Sequence, residues 1–343
     1  MAARDILTIL LVISCVVYVL GAAAAGHGHS MDSGERESDG SYRPRDHDHY
    51  SEGGHRSEFD HEAILGSVKE AEEFDKLSPE EAQQRLAELV VRMDLNKDQY
   101  VDREELKKWI LNSFMSLSKE EAHERLQETD TNRDGYVSWD EYIQDSFGVM
   151  SEDEIGPEEM GDTGMQKTAL KIFNKWKPSE DMLQEEKAMW KAADIDHDGK
   201  LNATEFAVFS NPEENESMHP YLINQTMREK DTNSDGVIDF NEYIADRGTQ
   251  QDKSWVVSER DRFDHELDHD GNGVLDADEV RAWIIPDNDE IADEEVEHLI
   301  TSADDNQDGK LSPEEVVAHH HVFVGSEATM HGDLLGDHFD DEL

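Results

Sequence analysis

Hydrophobic residues recur at helical spacing on both sides of short acidic segments. Leu86, Leu89, Val90 and Met93 lead into the segment Asp94–Glu105, and apolar residues with the same period follow it. This pattern predicts two amphipathic helices joined by an acidic loop. Serines followed three residues later by glutamate, at Ser78 and Ser118, are typical of capping boxes, so we expect a new helix to begin after each of them.

The pattern repeats along the chain. A similar twelve-residue loop occurs six times, starting at Asp94, Asp130, Asp194, Asp231, Asp268 and Asp304. The starts are 36, 64, 37, 37 and 36 residues apart, and a fixed period of this size indicates a tandem repeat of one supersecondary unit. The predicted fold is all-α, with six tandem helix–loop–helix repeats of the EF-hand type.

Each loop places oxygen-bearing groups at positions 1, 3, 5, 7, 9 and 12, the ligand order of an EF-hand calcium loop, in which position 7 contributes its backbone carbonyl. Ca²⁺ takes six to eight oxygens, so this pattern predicts calcium as the cofactor. The candidate ligands are Asp94, Asn96, Asp98, Tyr100, Asp102 and Glu105; Asp130, Asn132, Asp134, Tyr136, Ser138 and Glu141; Asp194, Asp196, Asp198, Lys200, Asn202 and Glu205; Asp231, Asn233, Asp235, Val237, Asp239 and Glu242; Asp268, Asp270, Asn272, Val274, Asp276 and Glu279; and Asp304, Asn306, Asp308, Lys310, Ser312 and Glu315.

The first loop departs from the pattern at position 6, where Gln99 replaces the glycine of the other five loops. Glycine adopts the backbone angle of that turn freely, and another residue costs on the order of 1 kcal/mol there. We expect this loop to bind calcium more weakly than the others. The alternative is a copy kept only for its structure.

Position 8 is apolar in all six loops, as in Val101 and Leu311. In EF-hands this residue pairs with the neighbouring loop across a short two-stranded ribbon. We expect the pairs one-two, three-four and five-six, although the equal intervals leave other pairings open among the last four.

The formal net charge is −52, from 83 acidic and 31 basic residues. A charge of this size opposes compaction, so the chain either stays disordered or takes up cations. It also excludes nucleic acid and anionic membrane surfaces as partners.

Paired carboxylates are too common to indicate catalysis, and the sequence has no zinc-protease motif, phosphate loop or nucleophile elbow, so we expect no enzyme.

The predicted organisation is a signal peptide (1–25), a disordered His/Asp/Gly-rich arm (26–60), EF-hand pair 1–2 (61–148), an acidic linker (149–166), EF-hands 3–6 (167–322) and an acidic tail with a retrieval-like signal (323–343). The apolar run 6–20 is short for a membrane span, so we expect no membrane insertion of the mature chain. The one cysteine, Cys15, lies in this run, which leaves the mature chain without disulfides.

Histidines are frequent in the arm and recur at 319–321. They suggest zinc or copper, but their spacing along the chain matches no closed tetrahedral zinc site. We therefore interpret the arm as a solvated tail.

The chain resembles the reticulocalbin–calumenin (CREC) family in "FDHEAILG" (59–66), in "EEFDKLSPEEAQQRL" (72–86) and in its final residues "HFDDEL". The resemblance implies a calcium-binding protein of the endoplasmic reticulum lumen with chaperone-like or regulatory binding of secretory-pathway clients. The end resembles a signal read by a retrieval receptor, but Asp340 replaces the usual Lys or His, so partial secretion is also expected. Sequons occur at Asn202, Asn215 and Asn224.

Two functional hypotheses follow. The first is a low-affinity luminal buffer that compacts when it binds calcium. The alternative is a calmodulin-like sensor that exposes an apolar groove to target helices, which the 12 methionines would suit.

Overall fold

The computed structural model describes residues 36–47, 49–51, 54–148, 180–245, 247–250 and 252–326. These residues form a helical protein, which confirms the predicted all-α fold. The helices are α1 Ser57–Leu65, α2 Val68–Phe74, α3 Pro79–Met93, α4 Arg103–Thr129, α5 Trp139–Phe147, α6 Glu180–Ala193, α7 Ala203–Ser210, α8 His219–Lys230, α9 Phe240–Ile244, α10 Arg247–Gln250, α11 Lys253–Arg262, α12 Ala277–Ile284, α13 Asn288–Ala303, α14 Pro313–Ala318 and α15 His320–Phe323. A 3₁₀ turn, Pro212–Glu214, and a π-helical turn, Phe263–Leu267, complete them.

Short strands form four antiparallel ribbons in the described part of the chain. The first ribbon joins β1 (Tyr50–Ser51) to β2 (Gly54–His55). Each of the others joins two acidic loops, and the six strands are β3 Val101–Asp102, β4 Val137–Ser138, β5 Lys200–Leu201, β6 Ile238–Asp239, β7 Val274–Leu275 and β8 Lys310–Leu311. Position-8 residues lie opposite each other in all three loop ribbons: Val101 and Leu311, Val137 and Leu201, and Ile238 and Leu275.

The predicted pairing of neighbouring loops was wrong. The ribbons join loop 1 to loop 6, loop 2 to loop 3 and loop 4 to loop 5. The physical reason is α4, an uninterrupted helix of 27 residues between loops 1 and 2. Two neighbouring hands that share a ribbon need a break between the exit helix of one loop and the entry helix of the next, and α4 has none. With loop 2 paired to loop 3 and loop 4 to loop 5, loop 6 remains for loop 1.

The predicted helix start at Ser118 was also wrong. Ser118 lies inside α4, and its Oγ donates a hydrogen bond to the carbonyl of Phe114 at 2.9 Å, one turn back along the helix. A serine hydroxyl can make this bond within a helix as readily as it can cap one. The capping box at Ser78 is present as predicted, with Pro79 at the first helical position.

The chain divides into two units, Met1–Arg36 with Arg125–Thr226, and Glu37–Glu124 with Met227–Leu343. In the described part of the first unit, the hands of loops 2 and 3 enclose an aromatic core in which Tyr142, Trp190 and Phe209 lie with ring centroids 5.0–5.4 Å apart. The second unit contains loops 1, 4, 5 and 6. A hydrophobic core in this unit lies around loops 1 and 6 and includes Ile64 and Leu299.

The prediction of a disordered arm was wrong for the described residues between 36 and 60. Asp39 is buried and accepts hydrogen bonds from Ser41, from Arg262 at 2.8 Å and from Trp283 at 3.2 Å. The backbone N–H of Tyr42 donates to the carbonyl of Ile284 at 2.9 Å. Specific polar partners therefore hold a segment whose composition lacks a periodic apolar face.

Several predictions fall outside the described residues. These are the signal peptide, the first part of the arm, the acidic linker and the tail after residue 326 with its retrieval-like signal. Among the helices that are described, none has the length and apolar character needed to cross a bilayer.

The loop pairing predicts which engineered cysteines can cross-link. In a chain from residue 26, which has no native cysteine, Val137→Cys/Leu201→Cys should form an intramolecular disulfide on mild oxidation with calcium present. Directly opposed residues lie roughly 4.5–5.5 Å apart between Cα atoms, within the range that a disulfide spans. Non-reducing electrophoresis after proteolysis measures the bond.

The matched control is Val101→Cys/Val137→Cys, which uses two equally buried position-8 sites in loops 1 and 2. This pair should stay reduced within one chain. Efficient cross-linking of the control pair, with none between residues 137 and 201, would refute the pairing.

Candidate calcium-binding loops

A glutamate at position 12 connects the two ends of every loop. One of its carboxylate oxygens, Oε2, accepts the backbone N–H of position 9 at 2.9–3.1 Å in all six loops. The other, Oε1, accepts an N–H from the start of the loop, as from Leu95 and Asn96 to Glu105 at 2.9 Å. The six glutamates are only 4–8% exposed, so each loop closes around a buried carboxylate.

The residue at position 9 begins the helix that follows each loop. Ser138, Asn202, Asp239, Asp276 and Ser312 are N-caps of capping boxes whose N3 residue is the position-12 glutamate. Asp102 and Glu105 exchange the equivalent bonds at the start of α4. The local signal that starts the helix therefore also fixes two candidate ligands.

The aspartate at position 1 organises the turn. Its Oδ2 accepts the backbone N–H of position 6 at 2.7–3.0 Å in all six loops. In loop 2, Oδ1 of Asp130 also accepts the N–H groups of Arg133 and Asp134, at 2.7 and 3.2 Å. These bonds wrap the loop backbone around one carboxylate.

The arrangement fits a hard divalent cation. In loop 3, carboxylate oxygens of Asp194, Asp196 and Glu205 lie within 4.8 Å of one another, and the equivalent three residues of loop 5 do the same. The other four loops have asparagine at position 3. Several carboxylates this close repel one another, and Ca²⁺ would replace that repulsion with coordination to oxygens, the donors that it prefers.

Gln99 adopts the glycine-like backbone of its position. Its φ is 73°, close to the 79–89° of the glycines at position 6 in the other loops. Its N–H makes the same bond to position 1, to Asp94 at 2.9 Å. The loop therefore keeps its shape, and the non-glycine residue carries the strain of the left-handed region.

Two ribbons carry a cross-loop lysine that sequence reasoning missed. Lys200, at position 7 of loop 3, lies 2.7 Å from Oδ2 of Asp134, at position 5 of loop 2. Lys310 makes the equivalent contact to Asp98 across loops 6 and 1 at 2.8 Å. Hydrogen bonds from these lysines lower the pKa values of both aspartates, and backbone N–H groups add to the effect. These contacts depend on which loops share a ribbon. Because the sequence did not predict that pairing, it did not predict the contacts either.

All 36 candidate ligands lie within the described residues and in the predicted loop positions. A family model of the EF-hand domain pair matches residues 66–145, 185–246 and 260–319. These matches take loops in chain order, whereas the ribbons join loops 2–3, 4–5 and 6–1; the hydrogen-bonded ribbons define the structural pairs.

The chain is similar to reticulocalbins over most of its length. It is 35% identical to Reticulocalbin-2 of Mus musculus over 85% of this chain and 88% of the relative. It is 36% identical to Reticulocalbin-2 of Crotalus adamanteus over 83% and 90%, and 34% identical to Reticulocalbin-3 of Mus musculus over 83% and 84%. The chain therefore belongs to the reticulocalbin (CREC) family and is a non-enzymatic, calcium-binding EF-hand protein.

Proposed function

We propose that this protein is a low-affinity calcium buffer of the endoplasmic reticulum lumen that becomes more compact when it binds calcium. The observation that carries the proposal is the set of six loops, each closed around a buried glutamate carboxylate. We assign the 36 candidate residues as the calcium ligands. Hands of the extracellular type bind calcium at roughly 10⁻⁴ to 10⁻³ M, which suits a calcium-rich compartment.

The charge of the chain supports compaction. Six ions would add 12 positive charges and leave about −40 of the formal −52, so repulsion falls but a large negative surface remains. The residual charge offers weak binding outside the loops and suits a buffer of high capacity. The same negative charge keeps the protein soluble. Secretory-pathway clients would therefore contact an acidic surface.

The sensor alternative requires an apolar groove that opens with calcium. Met93 and Met189, two of the methionines that it would use, are 2% and 6% exposed and pack into the hands. The two hypotheses differ in when apolar surface is exposed. A buffer binds an apolar dye without calcium, whereas a sensor binds it with calcium.

A calorimetric calcium titration of the chain from residue 26, followed by far-UV circular dichroism, tests the proposal. We expect six weak sites and a rise in helix content, because each ion removes repulsion inside a loop.

Glu279→Gln should remove one site. Its control, Asp278→Asn, makes the same charge change at the neighbouring exposed residue and should keep six. Micromolar sites without a change in helix content would favour the sensor instead.

Gln99→Gly should tighten loop 1. Relief of about 1 kcal/mol of backbone strain corresponds to about fivefold in affinity. The matched reverse variant is Gly135→Gln in loop 2, where an added Cβ has no atom within 4 Å but the backbone φ is 85°. This variant should weaken loop 2 by a similar factor. A site-resolved NMR titration of amides 99 and 135 measures both. Equal affinities before and after the two changes would mean that strain at position 6 does not set affinity.

The luminal location rests on the apolar run 6–20 and the Asp-Asp-Glu-Leu end of the sequence. Deletion of residues 340–343 should raise the secreted fraction, measured by immunoblot of medium and cells. Asp340→His should lower it, because it restores the usual retrieval sequence. If both variants distribute like the parent protein, a retrieval receptor does not read this end.

The sequons are not equivalent as glycosylation sites. Asn202 caps α7 and donates its side-chain N–H to Glu205 at 2.6 Å. A glycan on that nitrogen would disturb both the cap and a candidate ligand, so we assign any glycosylation to Asn215 or Asn224.

A further inference from the structure

Three histidines and an aspartate that belong to none of the six calcium loops meet in the second unit. His49 precedes β1 and His55 lies on β2, so the short ribbon places both rings on the same side. Asp60 lies on α1 and His298 on α13, the helix that leads into loop 6. Their donor atoms all lie within 4.8 Å of one another.

Asp60 is at the centre of this cluster. Its Oδ1 lies 2.7 Å from Nε2 of His49. Its Oδ2 lies 3.1 Å from Nε2 of His55 and 3.5 Å from Nε2 of His298. Donors around a tetrahedral zinc ion lie roughly 3.3 Å apart, given bonds of about 2.0–2.1 Å, so two of these three separations already match.

The buried atoms of the cluster lack hydrogen-bond partners. His49 and Asp60 are 4% and 0% exposed. Nε2 of His49, Nε2 of His298 and both oxygens of Asp60 are buried without a hydrogen bond of acceptable geometry. Buried polar atoms are nearly always satisfied. These four atoms lie within ion-pair distance of one another but share no well-formed hydrogen bond, and an ion bound between them would satisfy all four together.

A neighbouring hydroxyl orients one of the rings. Nδ1 of His298 lies 3.3 Å from the hydroxyl of Tyr50. A partner at Nδ1 fixes the ring of a metal-binding histidine and leaves Nε2 for the ion. His55 is 35% exposed in its side chain, which leaves a path from solvent to the site.

We propose that His49, His55, Asp60 and His298 form a binding site for a divalent transition-metal ion of the zinc type. Three imidazole nitrogens and one carboxylate are a donor set that zinc accepts. Imidazole favours Zn, Cu and Ni, whereas Ca²⁺ requires six or more oxygens, so the site and the loops select different ions. The ion would join the segment 49–60 to α13, across about 240 residues of sequence.

Zinc titration of the full chain in excess calcium tests this site, because the loops are then filled. We expect one zinc ion per chain in calorimetry. Co²⁺, used as a spectroscopic probe, should give the visible bands of a four- or five-coordinate nitrogen–oxygen site. His49→Ala/His298→Ala should weaken zinc binding at least tenfold and abolish the Co²⁺ bands, while calcium stoichiometry stays unchanged.

The control variant His265→Ala/His321→Ala removes two exposed histidines outside the cluster and should keep the site. Asp60→Asn keeps the size of the side chain and removes its charge, so it tests the site with minimal disturbance of folding; it should also lose zinc. Zinc binding that survives both Asp60→Asn and the His49/His298 variant would overturn the proposal and assign the zinc to other histidines. If the parent protein binds no zinc in excess calcium, the proposal is overturned as well. Neither result bears on the proposed function, which the calcium titration tests separately.

Discussion

The length of α4 is the constraint on which the arrangement of the hands depends. Because this one helix continues from loop 1 to Thr129, the first two loops cannot share a ribbon, and loop 1 must find a partner late in the chain. That partner is loop 6, and the core around the two loops joins α1 and α3 to α13 and α14. The same closure places His298 of α13 beside Asp60 of α1. The histidine cluster is thus a consequence of the loop pairing.

Electrostatics decides what the closed loops can do. Each position-12 carboxylate is held by backbone N–H groups, and N–H dipoles offset only part of a buried negative charge. In two ribbons a lysine of the partner loop lies beside the aspartate at position 5, whereas the ribbon of loops 4 and 5 has valines at position 7 on both sides. The three pairs of hands therefore differ in how much positive charge they contribute themselves, which is a physical reason for their calcium affinities to differ.

The sequence predicted what is local. Loop register, the capping box at Ser78, the place of the position-8 residues in ribbons and the unusual backbone of Gln99 all follow from spacing within about fifteen residues. Loop pairing is not local, because loop intervals of 36 and 37 residues are compatible with both the predicted and the observed pairs. Ser118, which suggested a break in α4, instead donates a hydrogen bond within that helix. Residues 36–60 were misjudged for the same reason. These residues are held by contacts with Trp283 and His298, which lie more than 230 positions away along the chain. The composition of the segment does not indicate such distant contacts.

Two kinds of metal site on one core would be energetically linked. Leu299, next to His298 on α13, packs in the core that holds Val101 and Leu311, the ribbon residues of loops 1 and 6. Calcium in those loops favours the packing that brings α13 to α1, and an ion at the histidine cluster favours the same packing. Ligands that bind the same folded arrangement each stabilise it by mass action, and the resulting coupling is reciprocal. Occupancy of the histidine cluster would therefore strengthen calcium binding at loops 1 and 6 more than at loops 2 and 3, whose core lies in the other unit.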